Sequence, residues 1–435
     1  MPKRAALVPV TIAFLALSTP GRPIAGDDVA EFAVRRIPVG REPSSVEIAD
    51  VNRDGKPDLV VVNAGSNDVT VLLGDGRGGF TPAPGSPYPA GHSPNDVAVA
   101  DLNHDGNPDL VFANHDTSYL TILLGDGKGG FTPAPSSPLT VHSHPHPHGV
   151  AVADFDGDGH LDLVTDSWGE NKVTVLFGDG KGGFTSPGTT FDVGPRPYQR
   201  VRSADLNGDG RSDIVTTNLD GASVTVLLSD GKRGFVRAPG SPFPAGQKPF
   251  GVAIGDVNGD GRLDLVVGNW SGHPEDSSSD AVNVLLGDGK GGFSPLPGSP
   301  LRAGRAPARV AIGDLNGDGI GDVAVANYIG DDVTIFFGGK RGLRRGPTLK
   351  AGHRPEGIAI GDLNGDGLGD VVTADSADGT ITLFLSTGGK APPSKRTVAP
   401  TPAVPLASPA GLRPPEGTTA GAERASAGPR LPLAG

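Results

Sequence analysis

Short apolar runs recur along the chain, separated by turns rich in Gly and Asp. Val46-Glu47-Ile48-Ala49 alternates apolar and other residues, Leu59-Val60-Val61-Val62 is continuously apolar, and Val69-Thr70-Val71-Leu72-Leu73 follows. Alternation marks a strand with one buried face, and a continuous short run marks a strand buried on both. The runs are β-branched and brief, which favours strands over helices. A turn, Gly74-Asp75-Gly76-Arg77-Gly78-Gly79-Phe80, comes next, and a Pro-rich stretch of weak β character closes the unit. The same order returns later, for example with Val252-Ala253-Ile254-Gly255 and Leu265-Val266-Val267. The pattern predicts four strands per unit, A to D.

One motif fixes the period. Asp-x-Asn/Asp-x-Asp-Gly-x-x-Asp begins at Asp50, Asp101, Asp154, Asp205, Asp256, Asp314 and Asp362, at intervals of 51, 53, 51, 51, 58 and 48 residues. It falls between strands A and B each time. Antiparallel four-stranded units of this length, repeated seven times, are blades, so the chain is read as an all-β, seven-bladed β-propeller over residues 31–388. The last unit loses its pattern after strand C, Ile381 to Leu385. Ile37-Pro38-Val39-Gly40 aligns with Tyr88-Pro89-Ala90-Gly91, in strand D of the first unit. An N-terminal strand is therefore expected to complete the seventh blade and close the ring, which hides its edges. Residues 1–26 read as a secretory signal peptide: Lys3 and Arg4 precede an apolar stretch from Ala5 to Leu17, with small residues near Ala25 and Gly26. Residues 389–435 are rich in Pro, Ala, Ser and Thr without periodicity and read as a disordered tail. No later segment is apolar enough to span a bilayer.

Composition narrows the class. Gly 68 and Pro 42 fit frequent turns, and the absence of Cys excludes disulfides and Cys-ligated zinc. A formal net charge of −12 disfavours nucleic acid as a partner. That acidity is concentrated in the repeated loops. Their oxygen-bearing positions are Asp50, Asn52, Asp54 and Asp58; Asp101, Asn103, Asp105 and Asp109; Asp154, Asp156, Asp158 and Asp162; Asp205, Asn207, Asp209 and Asp213; Asp256, Asn258, Asp260 and Asp264; Asp314, Asn316, Asp318 and Asp322; and Asp362, Asn364, Asp366 and Asp370. A Gly at the sixth position of every loop permits a sharp turn that lets oxygens converge. Turn formation alone explains Asp, Asn and Gly, but not three or four carboxylates within nine residues. The expected ligand is Ca²⁺, up to seven ions, whose +14 would offset the −12.

With these residues in view the repeat resembles the FG-GAP/VCBS repeat, the unit of the integrin α-subunit propeller and of many secreted bacterial proteins. The resemblance rests on Asp50-Val51-Asn52-Arg53-Asp54-Gly55-Lys56-Pro57-Asp58 followed by Leu59-Val60-Val61-Val62 and covers about residues 31 to 388. It implies the propeller fold and calcium. For function it implies less, since the family includes adhesion modules, lectins and a few enzymes.

Loops B–C and D–A should lie on the face opposite the Asp loops. Six residues after each final Asp stand Ala64, His115, Trp168, Leu219, Trp270, Tyr328 and Ser376, so both tryptophans share one repeat position. The two residues preceding strand A include His148, Arg200, Phe250, Arg309 and Glu356. Trp168, Trp270, Tyr328, Phe250, Arg200 and Arg309, with His148 and Glu356, are the candidate ligand surface, because aromatic and Arg side chains dominate recognition sites. Packing of blade tops explains the same aromatics. The tract His142-Ser143-His144-Pro145-His146-Pro147-His148 is read as a plain loop. Alternating His can hold a transition metal, but the prolines forbid an ordered ladder. No catalytic signature stands out. The expected function is a secreted module for adhesion or recognition of an extracellular glycan or protein. The alternative is a sugar-active lyase or dehydratase using His148, Arg200, Arg309 and Glu356 at the channel mouth.

Overall fold

The computed structural model describes residues 31–115, 117–142, 146–270 and 280–387. The signal-peptide and tail readings lie outside these residues. The described residues form seven antiparallel sheets and no helix. Blade 1 is typical. Strand A is Pro43–Ala49, B is Asp58–Asn63 and C is Asp68–Gly74, while D is split into Phe80–Pro82 and Tyr88–Pro89. Strand B is buried along its whole length in all seven blades, which explains its continuous apolar run.

The split D strand recurs in blades 1, 2, 4 and 5, where its two pieces pair with opposite ends of C. Pro interrupts the ladder between them because it has no N–H to donate. A serine hydroxyl takes up the N–H that C would leave unpaired. Ser86 accepts from Val71 at 2.9 Å, and Ser137, Ser241 and Ser299 accept from Ile122, Val226 and Val284 at 3.0 Å each.

The core lies between blades. Val60, Val62 and Val71 of blade 1 pack with Val97, Leu110 and Phe112 of blade 2, and similar clusters join successive blades around the ring. The ring closes as the sequence suggested. Phe32–Pro38 pairs antiparallel with Thr380–Ser386, from Phe32 opposite Ser386 to Pro38 opposite Thr380. The observed strand agrees with the expected span, Phe32 to Val39, to within one residue.

One expectation needs correction. The pairs placed before strand A lie inside it in every blade but the third, where His148 and Gly149 precede Val150–Ala153. The strand opens on a proline, such as Pro43, Pro94, Pro249 or Pro307, and the register with strand B breaks just after it. Such a bulge re-aims side chains without ending the strand.

Candidate functional site

The Asp loops share one geometry. In the first, Asp50 accepts from Asp54 N at 3.1 Å and Gly55 N at 2.8 Å, Asn52 accepts from Asp54 N at 2.9 Å, and Asp54 accepts from Lys56 N at 3.0 Å. Gly55 has φ 81°, in the left-handed region, and the sixth-position Gly of every other loop matches it. The final Asp is fully buried in all seven. Asp58 accepts from Val51 N at 3.0 Å and from Gly74 N at 2.8 Å, so it bolts the A–B loop to the C–D turn on one face of the ring. Burial pushes its carboxyl up to about 6, with Asp50 adding to the rise and the N–H donors opposing it. Asp162 and Asp322 are pushed up to about 7 for the same reasons.

Oxygens of Asp154, Asp156 and Asp162 lie within 4.8 Å of one another. Oxygen donors crowded in this way, around a Gly turn, suit a calcium-sized cation. The third loop has a further feature. Arg233, from the C–D turn of blade 4, donates to Asp156 at 2.6 Å and lies 3.7 Å from Asp158. It stands where the other complete Gly-Gly-Phe turns have Gly78, Gly129, Gly182 and Gly291.

The central channel holds a cross-ring ion network. Asp96 of blade 2 pairs with Arg200 of blade 4, lies 3.4 Å from Arg202 and 3.8 Å from Arg309 of blade 6, and accepts from Ser45 of blade 1 at 3.2 Å. Burial alone would raise Asp96, yet the three guanidiniums hold its carboxyl below the usual range. Burial wins at Glu47 and Glu356, whose carboxyls are raised despite the same arginines. Arg200 and Arg309 therefore do not belong to an exposed aromatic surface. Arg309 is 1 % exposed and donates to Asn95 O at 3.2 Å.

The aromatic candidates do come together, on the side of the ring away from the Asp loops. Ring centroids step from His146 to Trp168 (5.1 Å), Trp168 to Tyr198 (6.4 Å), Tyr198 to Phe250 (5.5 Å), Phe250 to Trp270 (4.6 Å) and Trp270 to Tyr328 (4.9 Å). His148 adjoins Tyr198 at 4.3 Å. Arg196 lies over Trp168 at 5.1 Å and Arg354 over Tyr328 at 5.8 Å. Trp168, Tyr198, Trp270 and Tyr328 are half-buried, Phe250 is buried, and the indole Nε1 of each tryptophan is buried without a hydrogen-bond partner among the described residues. The arc thus offers ring faces, not indole N–H groups.

Sequence reasoning missed Tyr198. Blade 4 has one residue more than the others between its opening proline and the first apolar residue of strand A, Pro197-Tyr198-Gln199-Arg200-Val201 against Pro249-Phe250-Gly251-Val252. Counting forward from the proline puts Tyr198 level with His148 and Phe250; counting back from the Asp loop hides it.

Seven four-stranded blades, an Asp loop in each and an aromatic arc opposite define a repeat β-propeller suited to binding and recognition. The model of the FG-GAP-like repeat matches residues 50–112, 101–165, 205–267 and 314–373, more than half of the chain. The protein belongs to the FG-GAP-like repeat family. No curated protein matches the chain. Among solved structures it is similar to BBS1N in complex with ARL6DN, at 12% identity and a TM-score of 0.57, covering 86% of this chain and 100% of that one. Hydrazine synthase of Kuenenia stuttgartiensis is similar at 12% identity and a TM-score of 0.56, covering 84% and 99%. An inactive virginiamycin B lyase of Staphylococcus aureus with quinupristin is similar at 14% identity and 0.50, covering 82% and 99%. Such low identities speak for the fold alone.

Proposed function

We propose that this is an exported, calcium-loaded propeller that recognises an extracellular glycan through the aromatic arc on blades 3 to 6. The observation that carries the reading is the unbroken run of rings from Trp168 to Tyr328. Aromatic faces pack against the C–H faces of sugar rings and attract cations. The arc lies opposite the Asp loops, so calcium here braces blades and does not touch the ligand.

The test is a glycan array with the full chain in millimolar calcium, repeated with Trp168→Ala and Trp270→Ala combined. A hit lost in the double variant, with its melting transition still cooperative, supports the reading. Retention of the hit by the double variant overturns the site. A partner found only among proteins would keep the arc and replace the ligand class.

A further inference from the structure

The chain carries a feature that neither the Asp loops nor the aromatic run explains. His115 follows strand B of blade 2, and His146 and His148 lie on the connection into blade 3. Folding brings all three together, with one nitrogen from each ring within 4.8 Å of the others. Their ring centroids are 4.7 Å (His115 to His146), 4.6 Å (His115 to His148) and 5.6 Å (His146 to His148) apart. The backbone at His146 has φ 97°, a conformation unfavourable for a non-Gly residue, so the chain is held there against its preference.

Two observations at His148 set this cluster apart from chance proximity. The side chain is 1 % exposed, and neither ring nitrogen has a hydrogen-bond partner among the described residues. A buried imidazole normally satisfies at least one nitrogen, since an unmet buried polar atom loses its water without replacement. Beside it stands Asp166, also buried. Asp166 Oδ1 accepts from His148 N at 3.0 Å and Gly149 N at 2.6 Å, while Oδ2 is unpartnered and 3.6 Å from His148 Nδ1. Asn95 Nδ2 donates to His148 O at 2.9 Å, which pins the same residue from the other side. The repeats make Asp166 conspicuous. Four residues after the final Asp the other blades have Val62, Ala113, Thr217, Gly268, Ala326 and Ala374. A carboxylate in a fully buried strand needs a reason.

We propose that His115, His146 and His148 form a binding site for one divalent transition-metal cation of the zinc class, with Asp166 as the positioning residue of His148. Three imidazoles suit zinc and its first-row neighbours and do not suit calcium, which takes oxygen ligands. In this arrangement His148 keeps its Nδ1 proton and donates it in a hydrogen bond to Asp166 Oδ2, which leaves Nε2 to the metal, the carboxylate–histidine–metal pattern that fixes tautomer and ring direction. Tetrahedral zinc with metal–nitrogen bonds of about 2.0–2.1 Å needs nitrogens roughly 3.3 Å apart, so the rings draw inward on loading. Three protein ligands leave one position for water or another donor. It would lie at the Trp168 and Tyr198 end of the arc, since His146 touches the first ring and His148 the second.

The experiment is titration of the full chain with Co²⁺ and then Zn²⁺, with millimolar calcium present to keep the Asp loops out of the signal. The expected result is about one Co²⁺ per chain with the visible bands of a tetrahedral site, displaced by Zn²⁺. In a Trp270→Phe background, Trp168 fluorescence should be quenched on Co²⁺ loading, because Trp168 adjoins His146. His115→Ala and His146→Ala should each weaken binding by at least tenfold. Asp166→Asn should weaken it about 10–100-fold, because the amide still accepts the two backbone N–H bonds but offers no anionic oxygen to Nδ1. Its melting transition should stay close to that of the parent. Absence of stoichiometric uptake overturns the proposal, and so does uptake that persists unchanged in His115→Ala and His146→Ala. These two variants decide the matter even if His148→Ala fails to fold.

Discussion

Asp375 occupies the position that Asn63, Asn114, Asn218, Asn269 and Asn327 hold in five other blades. There the amide ties the end of strand B to its surroundings; Asn63 Nδ2, for example, donates to Asp68 at 2.7 Å and Thr70 at 2.9 Å. Asp375 instead accepts from Thr373 at 2.8 Å, Thr382 at 2.6 Å and Thr380 at 3.3 Å. Burial raises its carboxyl above the usual range in spite of these donors. The native state thus holds this proton more tightly than the unfolded chain does. The group's stabilising contribution is present below the ordinary carboxylate pKa and is lost as pH rises through the raised value. Asp375→Asn should therefore raise the melting temperature at pH 7.5 and change little at pH 4. Thermal melts at the two pH values check this, and an equal gain at both would refute the account. The same comparison between repeats shows what was legible residue by residue. Trp168 and Trp270 were found because they share a position. Asp166 was missed because a strand-B residue facing a histidine from another segment has no local signature.

Element boundaries were legible wherever the period-two and continuous patterns were strong, as in strands A to C of every blade. The one failure has a physical cause. The opening pairs of strand A were taken for a loop because the proline and the bulge break the alternation, although the strand continues through them. The closing strand is expected over Phe32 to Val39 and observed over Phe32–Pro38, although only its Ile37 end aligns with another blade, because the residues before it are largely exposed. Val34 is 55 % exposed, while Phe32 and Ile37 pack against the core. This asymmetry yields a prediction. Ile37→Lys places a charge against the cluster of Val46, Leu59 and Ile381 and should cost about 2 kcal/mol or more. Val34→Lys should stay within about 0.5 kcal/mol of the parent. Deletion of 32–38 should do more than either, because it bares the edge of Thr380–Ser386 and invites pairing between molecules. Denaturant melts and light scattering of the three variants check the order, and a Val34→Lys loss equal to that of Ile37→Lys would contradict the assigned faces.

At the scale of the whole ring, two arrangements oppose each other. The channel closes on itself: Asp96, Arg200, Arg202 and Arg309 join blades 2, 4 and 6 through charges 104 to 213 residues apart in sequence. No local pattern announces pairs at such separations, so the sequence alone puts Arg200 and Arg309 beside the aromatics near the channel mouth and does not pair them with Asp96. The Asp-loop face carries the reverse, seven loops of clustered carboxylates, of which, among the described residues, four have a single cationic side chain beside them: Lys56, Arg211, Arg233 and Arg262. Burial, with smaller contributions from the neighbouring carboxylates, pushes the final Asp of each loop up to about 6 or 7. On the proposed reading, a cation in each loop would offset the crowded carboxylates and reinforce the link that Asp58 makes between the A–B loop and the C–D turn. If each loop is occupied at about tenfold excess over its dissociation constant, each adds roughly 1.4 kcal/mol by mass action. Seven such loops would then add about 10 kcal/mol in total, comparable with the whole stability of an ordinary domain. Chelation should therefore lower the melting temperature by more than ten degrees, and millimolar calcium, but not magnesium, should restore it. Magnesium prefers a small octahedral shell and keeps its waters. A melting curve unchanged by EDTA, in protein whose elemental analysis finds no calcium, would mean that the loops are turns stabilised by their own hydrogen bonds. Asp58 and its six counterparts would then serve only as bolts between turns.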